Sequence, residues 1–161
     1  MLKNHHNAVN DGNIPPISAG WFLTEAKTKE EMLQVIFLRR KVLVSENRYS
    51  ILKSEPDKYD LTSKIYVAKQ GNKVIGTARV RKEGNIYRIQ RMAVCKNYRK
   101  KGMGIRIIKK ILKDFINKRI YLMSPKSSVS FYEQFGFKNV RIFHPVFDWW
   151  QKANLFVCGK F

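Results

Sequence analysis

Acidic residues are scarce in this sequence. Its 161 residues include 12 Asp and Glu against 32 Lys and Arg, which gives a formal net charge of +20 at pH 7. Such a balance favours a polyanionic partner, namely nucleic acid, an anionic membrane surface or a phosphorylated small molecule, and it disfavours cationic partners such as polyamines. Because the lysines are scattered along the chain instead of forming one block, the charge alone does not choose among these anions.

Cysteine and long hydrophobic runs are also nearly missing. The two cysteines, Cys95 and Cys158, are far apart in sequence, so we predict reduced thiols, with no disulfide framework and no metal site. No stretch has the length of a membrane span, and the amino-terminal residues lack the apolar core of a secretory signal. We therefore expect a cytoplasmic protein with a flexible leader at residues 1–18 and one domain at residues 19–161.

Hydrophobic periodicity predicts an α/β (α+β) domain. Thr28, with Glu31 three residues later, is a capping-box pattern that predicts a helix running to about Ser45. Alternating polar and apolar residues then predict three strands joined by tight turns, which is an antiparallel meander. These strands are followed by a second helix, a strand, a short helix capped by Ser127 or Ser128, and two last strands. The predicted strands are 21–23, 65–68, 74–81, 86–94, 119–123, 140–143 and 155–158, and the later helices are a short one within 46–63, 105–115 and 128–135.

A basic loop that contains glycine carries the strongest chemical signal. After the meander come Arg99, Lys100 and Lys101, and then Gly102 and Gly104 open a helix. Glycine lets backbone N–H groups approach a ligand closely, and the start of a helix favours a diphosphate through its unpaired N–H groups and its dipole. The spacing is not that of a Walker A loop, and a strand of an antiparallel meander does not belong to a Rossmann unit. The sequence thus predicts an anion site of another kind.

Two segments resemble motifs of the GNAT superfamily of N-acetyltransferases. The run Arg99-Lys-Lys-Gly-Met-Gly resembles the acetyl-CoA pyrophosphate motif of that superfamily, and Ser128-Val-Ser-Phe-Tyr-Glu-Gln-Phe-Gly-Phe resembles its helix–strand signature. The predicted order of elements resembles the GNAT fold as well. The resemblance implies a mixed, mostly antiparallel central sheet flanked by helices, acetyl-CoA as co-substrate, and direct acetyl transfer to a primary amine without a covalent enzyme intermediate.

The resemblance also implies roles for individual residues. Tyr132 matches the tyrosine that protonates the leaving sulfur, a role that suits a phenolic O–H. Gln90 stands where the superfamily often has a glutamate that activates the amine. Since an amide cannot act as a base, a water chain, a partly neutral amine or another group, such as Glu133 or His144, must replace it. Ser128 stands where many relatives have an asparagine that contacts the cofactor. The residues implied to bind acetyl-CoA are Met92, Ala93, Val94, Arg99, Lys100, Lys101, Gly102, Met103, Gly104 and Ser128.

The acceptor is less closely defined by the sequence. The segment from Leu38 to Glu46 resembles a helix of the glucosamine-phosphate N-acetyltransferase-like group, which implies glucosamine 6-phosphate, an intermediate of amino-sugar metabolism in the UDP-GlcNAc pathway. Arginine suits a phosphate because its planar guanidinium group donates two parallel hydrogen bonds. The implied contacts with this anionic amine are Arg39, Arg40, Arg79, Arg81, Arg88 and Gln90.

Alternatives remain at this point. A protein or peptide amine is an alternative acceptor, and a non-catalytic scaffold that binds nucleic acid is a second alternative, although no nucleic-acid-binding motif supports it. The resemblance also implies a homodimer. The apolar residues at 147–150 and 155–157 would supply either its interface or ordinary core.

Overall fold

The predicted antiparallel meander forms the centre of the fold. The computed structural model of the protein describes residues 20–48, 56–139 and 155–160. Its strands are β1 (Trp21–Glu25), β2 (Lys64–Gln70), β3 (Lys73–Glu83), β4 (Ile86–Val94), β5 (Ile120–Pro125), β6 (Lys138–Asn139) and β7 (Leu155–Lys160). Within the described residues these seven strands form one sheet in the order β1-β2-β3-β4-β5-β7-β6. Neighbours are antiparallel, except that β4 and β5 run parallel, so the predicted mixed, mostly antiparallel sheet is confirmed.

Helices flank this sheet. The first, α1 (Lys29–Arg39), begins at the predicted capping box, where the Thr28 hydroxyl accepts a hydrogen bond from the Glu31 N–H at 3.1 Å. In return, the Glu31 carboxylate accepts one from the Thr28 N–H at 3.2 Å. A π-helical segment at Arg40–Glu46 continues the helix. The remaining helical segments are the 3-10 turns Lys58–Leu61, Lys96–Tyr98 and Lys126–Ser128, and the helices α2 (Met103–Asp114) and α3 (Val129–Glu133).

Two apolar cores lie against the sheet. Strand β2 contributes Tyr66 and Ala68 to one core and Ile65 and Val67 to the other, because successive side chains of a strand point to opposite faces. The buried face of α2 packs in the first core, and α1 with its π-helical continuation packs in the second. Each helix is therefore held against the meander by apolar burial, which fixes the position of the α2 start.

Several predicted element boundaries differ from the structure. The first helix is α-helical only as far as Arg39. Of the range 46–63, in which a short helix was expected, residues 49–55 lie outside the described residues, and the described part contains the 3-10 turn Lys58–Leu61. Helix α3 ends at Glu133 because Gly136, at φ 83°, donates its N–H to the Glu133 carbonyl oxygen at 2.9 Å. Ser128 is the N-cap residue of α3, but its side chain makes no capping hydrogen bond. The expected leader 1–18, the strand 140–143 and the apolar residues 147–150 lie outside the described residues.

Close packing of α2 on β3 generates a stability prediction. A Cβ atom at Gly76 would lie 2.8 Å from the Sδ of Met103 and 3.3 Å from the Cδ1 of Ile107, and both side chains are buried. We predict that Gly76→Ala lowers the free energy of unfolding by about 1–3 kcal/mol, as overpacking does in a filled core, measured by urea denaturation. In a Met103→Ala background the same change should cost less, because the colliding sulfur is gone. An equal cost in both backgrounds would contradict this account.

Candidate active site

A cleft opens where β4 and β5 separate. Their parallel register pairs Tyr87 with Ile120, Arg88 with Tyr121 and Ile89 with Leu122, and it stops there, although both strands continue. The cleft has a volume of about 410 Å³ and is lined mainly by β3, β4, β5, α3 and the segment around the turn at Lys58–Leu61. Strands that diverge in this way leave room for a ligand between them without a break in the sheet on either side.

The basic loop reaches the start of α2 through two residues in the left-handed region. Lys100 has φ 58° and Gly102, the N-cap residue of α2, has φ 78°. Gly102 lacks a side-chain cap, so the first-turn N–H groups of this 12-residue helix keep their capacity to bind an anion. Lys100 and Lys101 are exposed beside it, so the predicted anion site has the local geometry that it requires.

Gly104 also has a packing role. A Cβ atom there would lie 3.3 Å from the Cε of Met92 and 3.3 Å from the Cζ of Phe131. The glycine therefore allows α2 to approach β4 and α3 closely. This approach places the α2 start, Met92 and α3 side by side.

Tyr132 lines the cleft from α3. Its hydroxyl donates to the Sδ of Met92 at 3.6 Å, so the phenol points across the cleft toward β4. Edge-to-face contacts with Phe131 and Phe137, at centroid distances of 5.0 and 6.1 Å, fix the plane of the ring. The predicted catalytic tyrosine thus has an oriented hydroxyl at the point where a ligand from the α2 start would meet the cleft.

A β-bulge interrupts β4 beside Tyr132. The ladder with β3 pairs Gln90 with Arg79 and then Ala93 with Thr77, so β4 has one extra residue over this interval. Arg91, inside the bulge, has φ 54°. The backbone at Arg91 and Met92 is thereby displaced from the regular ladder at the wall of the cleft.

Two aspartates neutralise the arginine that lies deepest in the wall. Arg79 is 1% exposed and donates to Asp57 at 2.6 and 3.0 Å, to Asp60 at 3.1 Å and to the Gln90 Oε1 at 3.0 and 3.2 Å. Asp57 also pairs with Arg91 at 3.0 Å. Burial raises the pKa of Asp57, but the hydrogen bonds and charges of Arg79 and Arg91 outweigh burial and lower it. Asp57 is therefore ionised and a weak base at neutral pH.

A second arginine pair faces the cleft further along the same strands. Arg81 and Arg88 are directly opposite in the β3–β4 register, and both line the cleft. Glu83 pairs with Arg81 at 2.9 Å and with Arg88 at 3.7 Å. Tyr121 donates its hydroxyl to Glu83, and burial, aided by this bond, raises the pKa of Tyr121 to about 12. Two opposed guanidinium groups therefore share the Glu83 carboxylate.

The structure brings some of the predicted site residues together and separates others. Arg79, Arg81, Arg88, Gln90, Met92, Ser128 and Tyr132 line the cleft. Arg39 and Arg40 do not line it: Arg39 is fully buried and pairs with Asp60 at 2.8 Å, whereas Arg40 is exposed. The side chains of Ala93 and Met103 are buried in the two cores. Arg99 donates to the Val94 carbonyl at 2.8 Å and to Glu46 at 2.5 Å, so it anchors the basic loop.

Residues that the sequence did not indicate also shape the cleft. Asp57 and Tyr59 line it from the turn, and Asp60 stands behind them. The sequence did contain a signal for these aspartates, because several arginines on one sheet need carboxylate partners and this chain has few acidic residues. Of the bases suggested in place of Gln90, Glu133 is exposed and outside the cleft lining, and His144 lies outside the described residues.

Comparisons with known proteins find acetyltransferases that are similar to this chain. A family model described as an acetyltransferase (GNAT) domain matches residues 62–139. This part of the chain is therefore similar to GNAT acetyltransferases. A Bacillus subtilis (strain 168) protein named “Putative acetyltransferase” is 28% identical over 117 residues, which cover 69% of this chain and 80% of that protein. The protein is thus an acyltransferase, as the sequence predicted, and these matches do not single out the glucosamine-phosphate-like group within the GNAT acetyltransferases.

Solved structures share the GNAT fold. Escherichia coli ElaA has a TM-score of 0.72 at 19% identity, with 88% of this chain and 98% of that chain covered. Arabidopsis thaliana Naa50, solved with the bisubstrate analogue CoA-Ac-MVNAL, has a TM-score of 0.64 at 18% identity, with 88% and 99% covered. At these identities the similarity establishes the fold and leaves the acceptor open.

The described residues contain neither a helix that could span a membrane nor a cluster of side chains that could hold a metal ion. No helix in residues 20–48, 56–139 and 155–160 has the length and apolar character to cross a bilayer. Within the same ranges, no group of three or more His, Cys, Asp or Glu side chains is placed to hold a metal ion.

The left-handed glycine at the α2 start generates a binding prediction. Gly102→Ala should raise the dissociation constant for acetyl-CoA about tenfold, because φ 78° is unfavourable for alanine and the loop must shift, measured by calorimetry. Gly71→Ala is the matched control. It imposes the same strain at φ 56° in the β2–β3 turn, with no atom of the protein within 4 Å of the added Cβ, and should leave acetyl-CoA binding unchanged. Equal effects at both positions would remove Gly102 from the binding site.

Proposed function

We propose that this protein transfers the acetyl group of acetyl-CoA directly to the primary amine of a small anionic acceptor, with glucosamine 6-phosphate as the best candidate. The observation that carries the proposal is the position of the Tyr132 hydroxyl. It points into the cleft between β4 and β5, next to the α2 start. The resemblance to GNAT acetyltransferases gives a tyrosine hydroxyl at this point the role of protonating the leaving sulfur.

The donor half of the site is built mostly from backbone groups. The diphosphate of acetyl-CoA would be held by the first-turn N–H groups of α2 behind Gly102, with Lys100 and Lys101 beside it. The side chain of Met103 is buried, so only its backbone would take part. Arg99 would act by fixing this loop to Val94 and Glu46. Acetyl-CoA supplies the activated thioester, and the chain supplies its orientation.

Tyr132 acts on the leaving group in this proposal. As the amine nitrogen forms its bond to the acetyl carbon, the carbon–sulfur bond breaks and the thiolate takes the phenolic proton. Overall an ammonium acceptor loses two protons, one of which ends on the thiol and one in the solvent. The phenol recovers its proton from water, so the enzyme is unchanged after each turnover.

The positive wall of the cleft would also help to deprotonate the acceptor. Four arginines and one aspartate line it, and the carboxylates of Asp60 and Glu83 complete the pairs from behind. Because guanidinium groups line the cleft and the chain has a net charge of +20, a bound ammonium group is disfavoured relative to the neutral amine. A strong general base is then not required, which is consistent with Gln90 at the position where a glutamate is frequent and with the lowered pKa of Asp57.

The same positive charge supports an anionic acceptor. Arg81 and Arg88 face the cleft and share the carboxylate of Glu83. Like charges directly opposite each other destabilise a strand pair, so an anion between them would relieve repulsion as well as form charge-assisted hydrogen bonds. Arg79 is less suited to this role because Asp57, Asp60 and Gln90 already occupy its donors.

A peptide amine is the second candidate for the acceptor. The fold neighbour Naa50 was solved with a peptide-containing bisubstrate analogue. A peptide with acidic residues near its terminus would satisfy the same arginine pair. A direct comparison of acceptors separates the two candidates.

The proposed role of Tyr132 is tested by Tyr132→Phe. The variant keeps the ring and its packing but loses the donated proton, so kcat should fall about 10²–10⁴-fold while the acetyl-CoA dissociation constant changes little. Stopped-flow thiol release and calorimetry measure the two quantities. Phe131→Leu is a packing control that alters the neighbouring ring and retains the hydroxyl. Turnover at the wild-type rate in Tyr132→Phe would reduce Tyr132 to a packing residue.

The proposed acceptor is tested by comparing glucosamine 6-phosphate with glucosamine. The phosphorylated sugar should have a kcat/KM at least about tenfold higher, because charge-assisted hydrogen bonds from the arginine pair contribute at least about 1.4 kcal/mol. Arg88→Gln should remove most of the preference. Lys82→Gln, which removes the same charge from an exposed position on β3, should not.

Ionic strength and peptide substrates complete this test. The preference should shrink with salt, but less than a purely surface attraction would. Equal rates with the two sugars would end the amino-sugar proposal, and activity confined to peptides would establish the second candidate.

A further inference from the structure

The bulge in β4 depends on a residue far away in sequence. Arg91 has φ 54°, and a residue with a side chain keeps this conformation only where its surroundings hold it. Its guanidinium group is held by Asp57, with Arg91 Nη2 and Asp57 Oδ2 3.0 Å apart. Asp57 lies 34 residues earlier in the chain, in the segment that precedes the 3-10 turn Lys58–Leu61.

Asp57 is itself rigidly placed. Both of its carboxylate oxygens accept from Arg79, at 2.6 and 3.0 Å, and Arg79 is 1% exposed. The Tyr59 N–H donates to Asp57 at 3.0 Å, and Asp57 and Asp60 form a capping box around the turn. A carboxylate held on several sides offers Arg91 a fixed anchor instead of a mobile surface partner.

The bulge in turn determines where Met92 lies. Met92 is the next residue after Arg91, and its sulfur accepts the Tyr132 hydroxyl at 3.6 Å. Its methyl group is also the atom that a Cβ on Gly104 would approach to 3.3 Å. A change in the bulge would therefore shift a side chain that contacts both Tyr132 and the α2 start.

We propose that Asp57 is a positioning residue that, through Arg91, holds the β4 bulge and so sets Met92 against the hydroxyl of Tyr132. The expected effect on kcat rests on the proposed function, whereas the expected effect on the position of Met92 does not. A role of Asp57 as general base is disfavoured because its oxygens are already occupied by arginine and backbone donors.

The test compares two substitutions of Arg91. Arg91→Gly and Arg91→Ala both remove the guanidinium group, but only glycine adopts φ 54° readily. We expect kcat to be about tenfold lower in Arg91→Ala than in Arg91→Gly, with KM for acetyl-CoA within about twofold. Equal kcat values in the two variants would overturn the proposal. They would show either that the guanidinium group acts directly or that neither the guanidinium group nor the backbone conformation at position 91 matters.

Asp57→Asn tests whether Asp57 holds the bulge through Arg91. It should lower kcat about tenfold in the wild-type background, yet by less than about twofold in the Arg91→Gly background, where the bulge no longer needs an anchor. The melting temperature should fall in both backgrounds, since Arg79 loses part of its counter-charge either way. A kcat loss that persists in Arg91→Gly, in parallel with the melting temperature, would make Asp57 merely structural and refute the proposal.

A measurement independent of activity separates this proposal from the proposed function. In protein labelled with ¹³C-methyl methionine, Met92→Leu identifies the Met92 methyl signal. The signal should keep its position in Arg91→Gly and move in Arg91→Ala and in Asp57→Asn. An unmoved signal in those two variants would refute the positioning role even if no amine is ever acetylated. Moved signals without thiol release would refute the proposed function alone.

Discussion

The buried guanidinium group of Arg79 is the constraint on which the acceptor side of the cleft depends. An ion this deep in a sheet is tolerable only if it is paired, because loss of one partner from a buried pair costs several kcal/mol. Asp57 and Asp60 meet this need, and in doing so they bring the turn at Lys58–Leu61 onto the sheet. Asp60 also pairs with Arg39 at the end of α1, and Asp57 with Arg91 in the bulge. One buried charge thus connects α1, the turn, β3 and β4.

The two halves of the cleft are built by different kinds of interaction. Backbone conformation at Gly102 and close packing at Gly104 shape the donor half, and both are local to the α2 start. Long-range ion pairs shape the acceptor half, as in the contact between Asp57 and Arg91. The comparisons support acetyl-CoA-dependent acyl transfer and leave the amine open.

The same division decided what the sequence could predict. Local signals predicted the meander, the capping box at Thr28 and the glycine-started helix, and the structure agrees with each. The family resemblance, not a local signal, singled out Tyr132, whose side chain lines the cleft. Partner choice among distant charges has no local signal. Arg39, predicted to contact the substrate, is instead buried against Asp60. Gly104 also has a packing role that the motif did not indicate, since it makes room for Met92 and Phe131.

Scarcity of acids connects the composition of the chain to its chemistry. With 12 Asp and Glu for 32 Lys and Arg, carboxylates near the cleft are shared: Glu83 serves Arg81 and Arg88, and Asp57 serves Arg79 and Arg91. In the proposed function, the positive charge of the chain would attract an anionic acceptor and disfavour the ammonium form of its amine. The scarcity of acidic residues would then support both recognition and activation of the acceptor. A glutamate at position 90 would be held by the buried Arg79, which lowers the pKa of a neighbouring carboxylate, and would therefore be a poor base here.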